Sequence, residues 1–185
     1  SLPDNKGNCV LMNKQGKVID ELNYTDDMHY PLLPVKTGVS LERIDPRSPS
    51  SATGNWHSAS SDANHATPGL VNSQFKNLDT TDNSNIKLFP ALISPNNDGL
   101  DDLLTIQYQF TETGNLLSAF VFNHNGHLAA KIIDNRLCGT AGSFSWNGFD
   151  AKNNRLPAGV YVVLIETFNL TGKTQRLKKV IGIRF

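Results

Sequence analysis

The chain has 185 residues and a mass of 20.3 kDa, enough for one large domain or two of roughly 75–100 residues each. Hydrophobic residues make up 38% and charged residues 18%; 17 Lys and Arg balance 17 Asp and Glu, so no global field gathers nucleic-acid phosphate. No apolar run approaches the roughly 18–20 residues of a membrane helix, and two cysteines, Cys9 and Cys138, exclude a disulfide-rich scaffold.

The opening Ser1-Leu2-Pro3-Asp4 is already polar and reads as an internal cut in a longer protein rather than as a signal peptide. Short apolar runs then alternate with Gly, Asn, Asp, Pro and Ser clusters, without a helical period, which predicts an all-β chain. Residues 9–12 and 18–22 flank Asn13-Lys14-Gln15-Gly16 as a hairpin, and residues 39–44 form a further strand. Residues 45–66 are long and polar, a loop that Trp56 is expected to anchor.

Residues 76–85 hold one apolar side chain and read as a linker. Beyond them, residues 103–110 alternate cleanly, with Leu104, Ile106, Tyr108 and Phe110 on one parity. Residues 116–122 and 128–133 flank Asn125-Gly126, a two-residue turn signal. Residues 160–165 are apolar on both parities and read as a central strand covered on both sides, while residues 175–185 close the chain with Leu177, Ile181, Ile183 and Phe185 inward. The inward set expected for this half is Leu104, Ile106, Tyr108, Phe120, Phe122, Val160, Val162, Ile181 and Ile183.

The pattern predicts two tandem Ig-like β-sandwich units, over 1–75 and 86–185, joined by the 76–85 linker. The first is incomplete. Residues 1–74 offer about four strands and few large apolar side chains, and a sandwich of ~75 residues buries only about 60% of its unfolded surface. Its open sheet edges must be met by the second unit, another chain or upstream strands.

Asn96, Asp98, Asp101 and Asp102 crowd oxygen side chains around Gly99. Calcium loops use such spacing because a hard cation needs six to eight oxygens. The EF-hand pattern fails, however, since Ser94 and Thr105 stand where its first and closing carboxylates belong. The other reading is a turn in which Asn and Asp cap local amides.

His124 and His127 bracket the Asn-Gly turn and His29, His57 and His65 are scattered, without metal-ligand spacing. No G-x-S-x-G elbow or Gly-rich phosphate loop occurs, and Ser58, Asp62 and His65 read as chance neighbours rather than a triad. Lys173, Arg176, Lys178 and Lys179 read as a solvated edge strand. Cys9 and Cys138 fall in different units and read as two buried thiols.

Gly38-Val39-Ser40-Leu41-Glu42-Arg43-Ile44, Asn55-Trp56-His57-Ser58-Ala59 and Ala66-Thr67-Pro68-Gly69, with the hairpin of residues 16–24 before them, resemble the end of lamin-tail domains in secreted Bacteroidetes-type proteins. The family's opening strands have no counterpart here. Ser94-Pro95-Asn96-Asn97-Asp98-Gly99-Leu100-Asp101-Asp102, Val121-Phe122-Asn123-His124-Asn125-Gly126, Trp146-Asn147-Gly148 and Leu156-Pro157-Ala158-Gly159-Val160-Tyr161 are similar in order to the Ig-like C-terminal domains of gliding-motility and type IX secretion cargo, and to flagellar hook-capping Ig-like domains. The ending Lys178-Lys179-Val180-Ile181-Gly182-Ile183 suits a C-terminal sorting strand.

These resemblances imply a non-catalytic interaction or adhesion module, extracellular or on the cell surface, at the C-terminal end of a larger secreted bacterial protein. Its last domain would act in export or anchoring, and its partner would be a protein or a surface glycan. A carbohydrate-binding module, with Trp56 and Trp146 as sugar platforms, and the non-catalytic tail of a secreted hydrolase are the rival readings. No cofactor is expected apart from calcium at the Asn96–Asp102 loop.

Overall fold

The computed structural model describes residues 3–75 and 85–185, so the expected linker lies outside the described residues except for Asn85, which opens a strand. The described first half forms two hairpins: β1 (Lys6–Met12) with β2 (Val18–Thr25), and β3 (Leu41–Arg43) with β4 (Trp56–Ser58). Asn13 closes the first turn by accepting the amides of Gln15 and Lys17 on its Oδ1, at 3.0 and 2.9 Å. Among the described residues the first half thus holds two separate two-stranded sheets.

The second half is a sandwich. Its strands are β5 (Asn85–Phe89), β6 (Leu92–Ile93), β7 (Leu104–Gln109), β8 (Asn115–Asn123), β9 (Leu128–Cys138), β10 (Ala141–Trp146), β11 (Gly159–Asn169) and β12 (Thr174–Ile183). One sheet runs β10-β7-β5 and the other β6-β12-β11-β8-β9, antiparallel throughout except where β6 joins β12. Between them lie Leu104, Ile106, Tyr108, Phe144 and Trp146 from the first sheet and Leu117, Val121, Tyr161, Val163, Ile165 and Ile181 from the second. Trp146 is 6% exposed and donates its indole N–H to the Phe149 carbonyl at 2.9 Å, so it is a core residue.

The strict alternation of β7 translates directly into burial, with Leu104, Ile106 and Tyr108 at 0–1% exposure. Parity fails on β8 and β11. Phe120, Phe122, Val160 and Val162, expected inward, lie on the outer face, and their neighbours Ala119, Val121, Tyr161 and Val163 fill the core. Both parities are apolar there, so the pattern carries no sign. The space left between sheets roughly 10 Å apart takes the smaller Ala119 and Val121 opposite the rings of the other sheet. Nor is β11 covered on both sides, since Val160 is 59% exposed. Phe185, also expected inward, is 60% exposed beneath the Arg155 guanidinium.

Three further boundaries differ from expectation. The polar 45–66 stretch contains β4 and a short 3-10 turn, Ser61–Ala63. β9 runs on through a bulge to Cys138. The strands β5, β6 and β10 were not expected either, although Ile86 and Leu88 alternate along β5 and Phe144 and Trp146 along β10.

Of the buried hydrophobic residues among those described, only Tyr30 and Ala59 precede residue 85. The first half is therefore held by polar contacts with the sandwich. The Thr140 amide donates to Ser73 O at 2.8 Å, Thr140 Oγ1 to Phe75 O at 2.9 Å, and Gln74 Nε2 to Cys138 O at 3.3 Å.

Candidate functional site

The Asn96–Asp102 loop is exposed, and its oxygens point at its own backbone. Asp102 Oδ1 accepts the amides of Asn96 and Asn97 at 3.0 and 2.7 Å, and its Oδ2 accepts that of Gly99 at 2.8 Å. Asn96 Oδ1 accepts the Asp98 amide, and Asp98 Oδ1 the Leu100 amide at 2.8 Å, which holds the Asp98 carboxyl below its ordinary value. Asn97, Gly99 and Asp101 take positive φ of 66°, 87° and 53°. This is the geometry of a capped turn. Among the described residues no three His, Cys, Asp or Glu side chains converge as metal ligands. Asp102→Ala, which strands three amides, is expected to cost about 1–2 kcal/mol in urea unfolding, with millimolar calcium leaving the wild-type midpoint unchanged.

Ser58, Asp62 and His65 do not meet as a triad: Ser58 and Asp62 have partners of their own, and His65 Nδ1 is buried without a hydrogen bond among the described residues. Ser58, fully buried, takes the Tyr30 amide at 2.9 Å on its Oγ and pairs with His29 Nδ1 at 2.9 Å. His57 donates from Nδ1 to the Ser58 carbonyl at 3.0 Å, and its ring centroid lies 5.2 Å from that of Tyr30. His124 and His127 lie exposed at the β8–β9 turn.

Burial lowers both His29 and His57 from the ordinary 6.5. The folded state then binds fewer protons than the unfolded chain below that value. Stability contributed by the neutral rings is complete above about pH 6.5 and is lost as the pH falls through their folded values. The melting temperature should drop between about pH 7.5 and 5.5, and His57→Gln should flatten that drop. A melt independent of pH over this range would contradict the burial of these rings.

Trp56 is half-buried and donates its indole N–H to Ser50 O at 2.8 Å, which ties down the loop it was expected to anchor. Its ring also lines a cleft of about 390 Å³ shared with Cys9, Leu11, Asp20, Leu22 and Arg43. Both cysteines are free thiols. Cys138 is buried, as expected, but Cys9 only partly so.

Asp62 carries the seam between the halves. The Tyr108 hydroxyl donates to its Oδ2, and Arg136 Nε stands 3.7 Å from its Oδ1. Tyr108 reaches it across Gly142, where any Cβ would collide with the phenol oxygen. Burial raises the Asp62 carboxyl and pushes both the Tyr108 hydroxyl and the Cys138 thiol far up. Tyr108 also borders a cleft of about 380 Å³ with Lys87, Gln107 and Ser143, and sequence reasoning gave no signal for a pair 46 residues apart.

No helix among the described residues is long and apolar enough to cross a membrane. No curated protein matches the chain. Among solved structures, similarity extends to PorZ, an essential bacterial surface component of the type IX secretion system of Porphyromonas gingivalis, at 18% identity and a TM-score of 0.34 over 54% of this chain and 11% of PorZ. It extends also to CopC from Methylosinus trichosporium OB3b, at 13% identity and 0.33 over 54% of this chain and 93% of CopC. FlgD from P. aeruginosa matches at 17% identity and 0.37, over 56% of this chain and 78% of FlgD. The chain thus spans about a tenth of PorZ. The sequence pattern of the CHU_C type IX secretion signal domain matches residues 86–182, which is the sandwich from β5 to the end of β12. By that match, which covers more than half of its length, the chain belongs to the CHU_C type IX secretion signal domain family.

Proposed function

We propose that the sandwich of residues 86–182 is the export address of a protein handled by type IX secretion, and that the chain acts outside the cell, on its surface or released, without chemistry of its own. The family match over the whole sandwich carries this reading. The polar side chains described above support it, because they are spent on turns and on the seam rather than gathered around a cavity.

Residues 1–75, read as the end of a lamin-tail unit, would serve as an interaction surface through the open edges of their two-stranded sheets. A second reading, glycan binding, is favoured only by the Trp56 ring in its cleft. Trp56→Ala would then abolish retention on a glycan array.

The test of the main reading is a fluorescent reporter fused ahead of the 185-residue chain in a bacterium that runs type IX secretion. The reporter should reach the surface or medium, and deleting residues 86–182 should hold it inside. Equal export with and without those residues would remove the proposal.

A further inference from the structure

The outer face of the five-stranded sheet is a bare apolar plateau. Register places Val180, Val162, Phe122 and Leu128 in one row across β12, β11, β8 and β9. The next row is Lys178, Leu164, Phe120 and Lys131, and on the other side Val160 sits beside Gly182 and Leu92. Val160, Val180, Leu128 and Leu92 are 59, 64, 55 and 41% exposed, while Phe120, Phe122, Val162 and Leu164 are half-buried, Phe120 with the Lys131 ammonium 5.8 Å over its ring. A polar sheet surface would satisfy the fold equally well, because the core lies on the opposite parity.

The border of the plateau is basic on the β12 side. β12 carries Arg176, Lys178 and Lys179 and no acid. Arg176 is paired with Glu166 at 2.6 Å, and across the sheet Lys131 is paired with Asp134 at 2.8 Å. Lys178 lies on the plateau's face opposite Leu164, and Lys179 on the other face of the same edge strand opposite Val163; both are exposed and neither makes an ion pair among the described residues, so their charge stays available to a partner that wraps that edge. The β6 strand covers β12 only at Gly182 and Ile183, which leaves the basic stretch on an open sheet edge.

Four strands about 4.8 Å apart and three rows about 6.8 Å apart give a plateau of roughly 300 Å². That is well below the ~800 Å² per partner of a standard stable interface, and it fits a contact that must form and release. A second copy is disfavoured on the same ground, and because it would add lysines to lysines.

Resting on the export reading, we infer that this face is where the export apparatus takes hold of the chain, through a protein surface that is apolar at its centre and rimmed by carboxylates. Apolar contact supplies attachment, and the carboxylates meeting Lys178 and Lys179 fix register and speed encounter.

The reporter fusion tests this with four variants of the full chain. Val160→Ser with Val180→Ser removes apolar contact at exposed positions, and Lys178→Glu with Lys179→Glu reverses the border. Lys178→Arg with Lys179→Arg keeps the charge, and Gln107→Ala alters the outer face of the other sheet. The first two should cut exported reporter about tenfold and the last two should leave it unchanged. All four purified chains should melt within a few degrees of wild type, because every substituted side chain is exposed.

Wild-type export by the first two variants would overturn the inference while leaving the export reading intact. Retention of the wild-type fusion would remove both. Loss of export in the apolar variant but not in the charge-reversed one would exclude a carboxylate-rimmed partner. Two further results would identify another occupant and overturn the proposal. One is a wild-type dimer that the Val160/Val180 variant breaks. The other is binding of the wild-type chain to anionic phospholipid vesicles that the same variant loses.

Discussion

Expressed separately, residues 85–185 should give a cooperative thermal melt and residues 1–75 should give none. The sandwich owns its core: every residue of the apolar cluster, from Ile93 to Ile183, belongs to it. Among the described residues the first half contributes only Tyr30 and Ala59 to the buried hydrophobic set. At roughly 25 cal/mol per Å² of apolar area, two such side chains cannot offset an ordering cost of about 1–2 kcal/mol per residue. Two-stranded sheets are marginal in water on their own. Cutting the chain also strips Ser73, Gln74 and Asp62 of their partners Thr140, Cys138 and Tyr108. Circular dichroism melts of both fragments check this, and a sharp monomeric transition for residues 1–75 would contradict it.

The second large effect is expected at Glu42. This carboxylate is 4% exposed on β3 and gathers the end of the first half around itself. Its Oε1 accepts the Thr67 hydroxyl, and its Oε2 accepts the Ser73 hydroxyl at 2.6 Å and the Gln74 amide at 3.3 Å. Ser73 in turn receives the Ser60 amide on its Oγ at 2.9 Å and the Thr140 amide on its carbonyl at 2.8 Å, so Glu42 holds the seam at one remove.

Glu42→Ala takes the carboxylate from the buried Gln74 amide and from the part-buried hydroxyls of Ser73 and Thr67, of which Thr67 retains Asn72 Oδ1 at 3.4 Å; at about 1–3 kcal/mol per stranded donor before relaxation, a net loss of about 2–3 kcal/mol is expected. Glu42→Gln keeps one acceptor oxygen and should lose less. Proteolysis within residues 40–75 should accelerate in Glu42→Ala while fluorescence from the buried Trp146 is unchanged. Equal resistance of the variant and the wild type would show that the carboxylate is dispensable.

What could be read from the sequence depended on whether a residue's partner lay nearby. Strand β7 was legible because Thr105, Gln107 and Gln109 mark the wet side unmistakably. The turns at Asn13 and Asn123 were legible because a short polar side chain and a glycine suffice to build them. The turn reading of Asn96–Asp102 was available for the same reason.

The faces of β8 and β11 were not legible, since Leu117 and Phe120, or Val162 and Val163, are equally apolar; on β8 large rings were assigned inward where smaller side chains pack, and on β11 valines were assigned inward where the larger Tyr161 packs. The β4 strand, three residues long in a polar stretch, has no periodicity to detect. The roles of Asp62 and Glu42 were invisible, because their partners are distant in the chain and an isolated acid in a loop has no signature.

The seam also sets an order of events during synthesis. Asp62, Ser73 and Gln74 find their partners 46 to 67 positions downstream, on or beside β7 and β9, whose two sheets close over a complete core only when β11 and β12 supply Tyr161, Val163, Ile165 and Ile181. A ribosome adding about 5–20 residues per second leaves residues 26–75 without their docking site for roughly 5–20 s after they emerge. The part made first is therefore the part that settles last. A chain stalled before β12 would present its upstream half to proteases and chaperones however favourable that half's local sequence is.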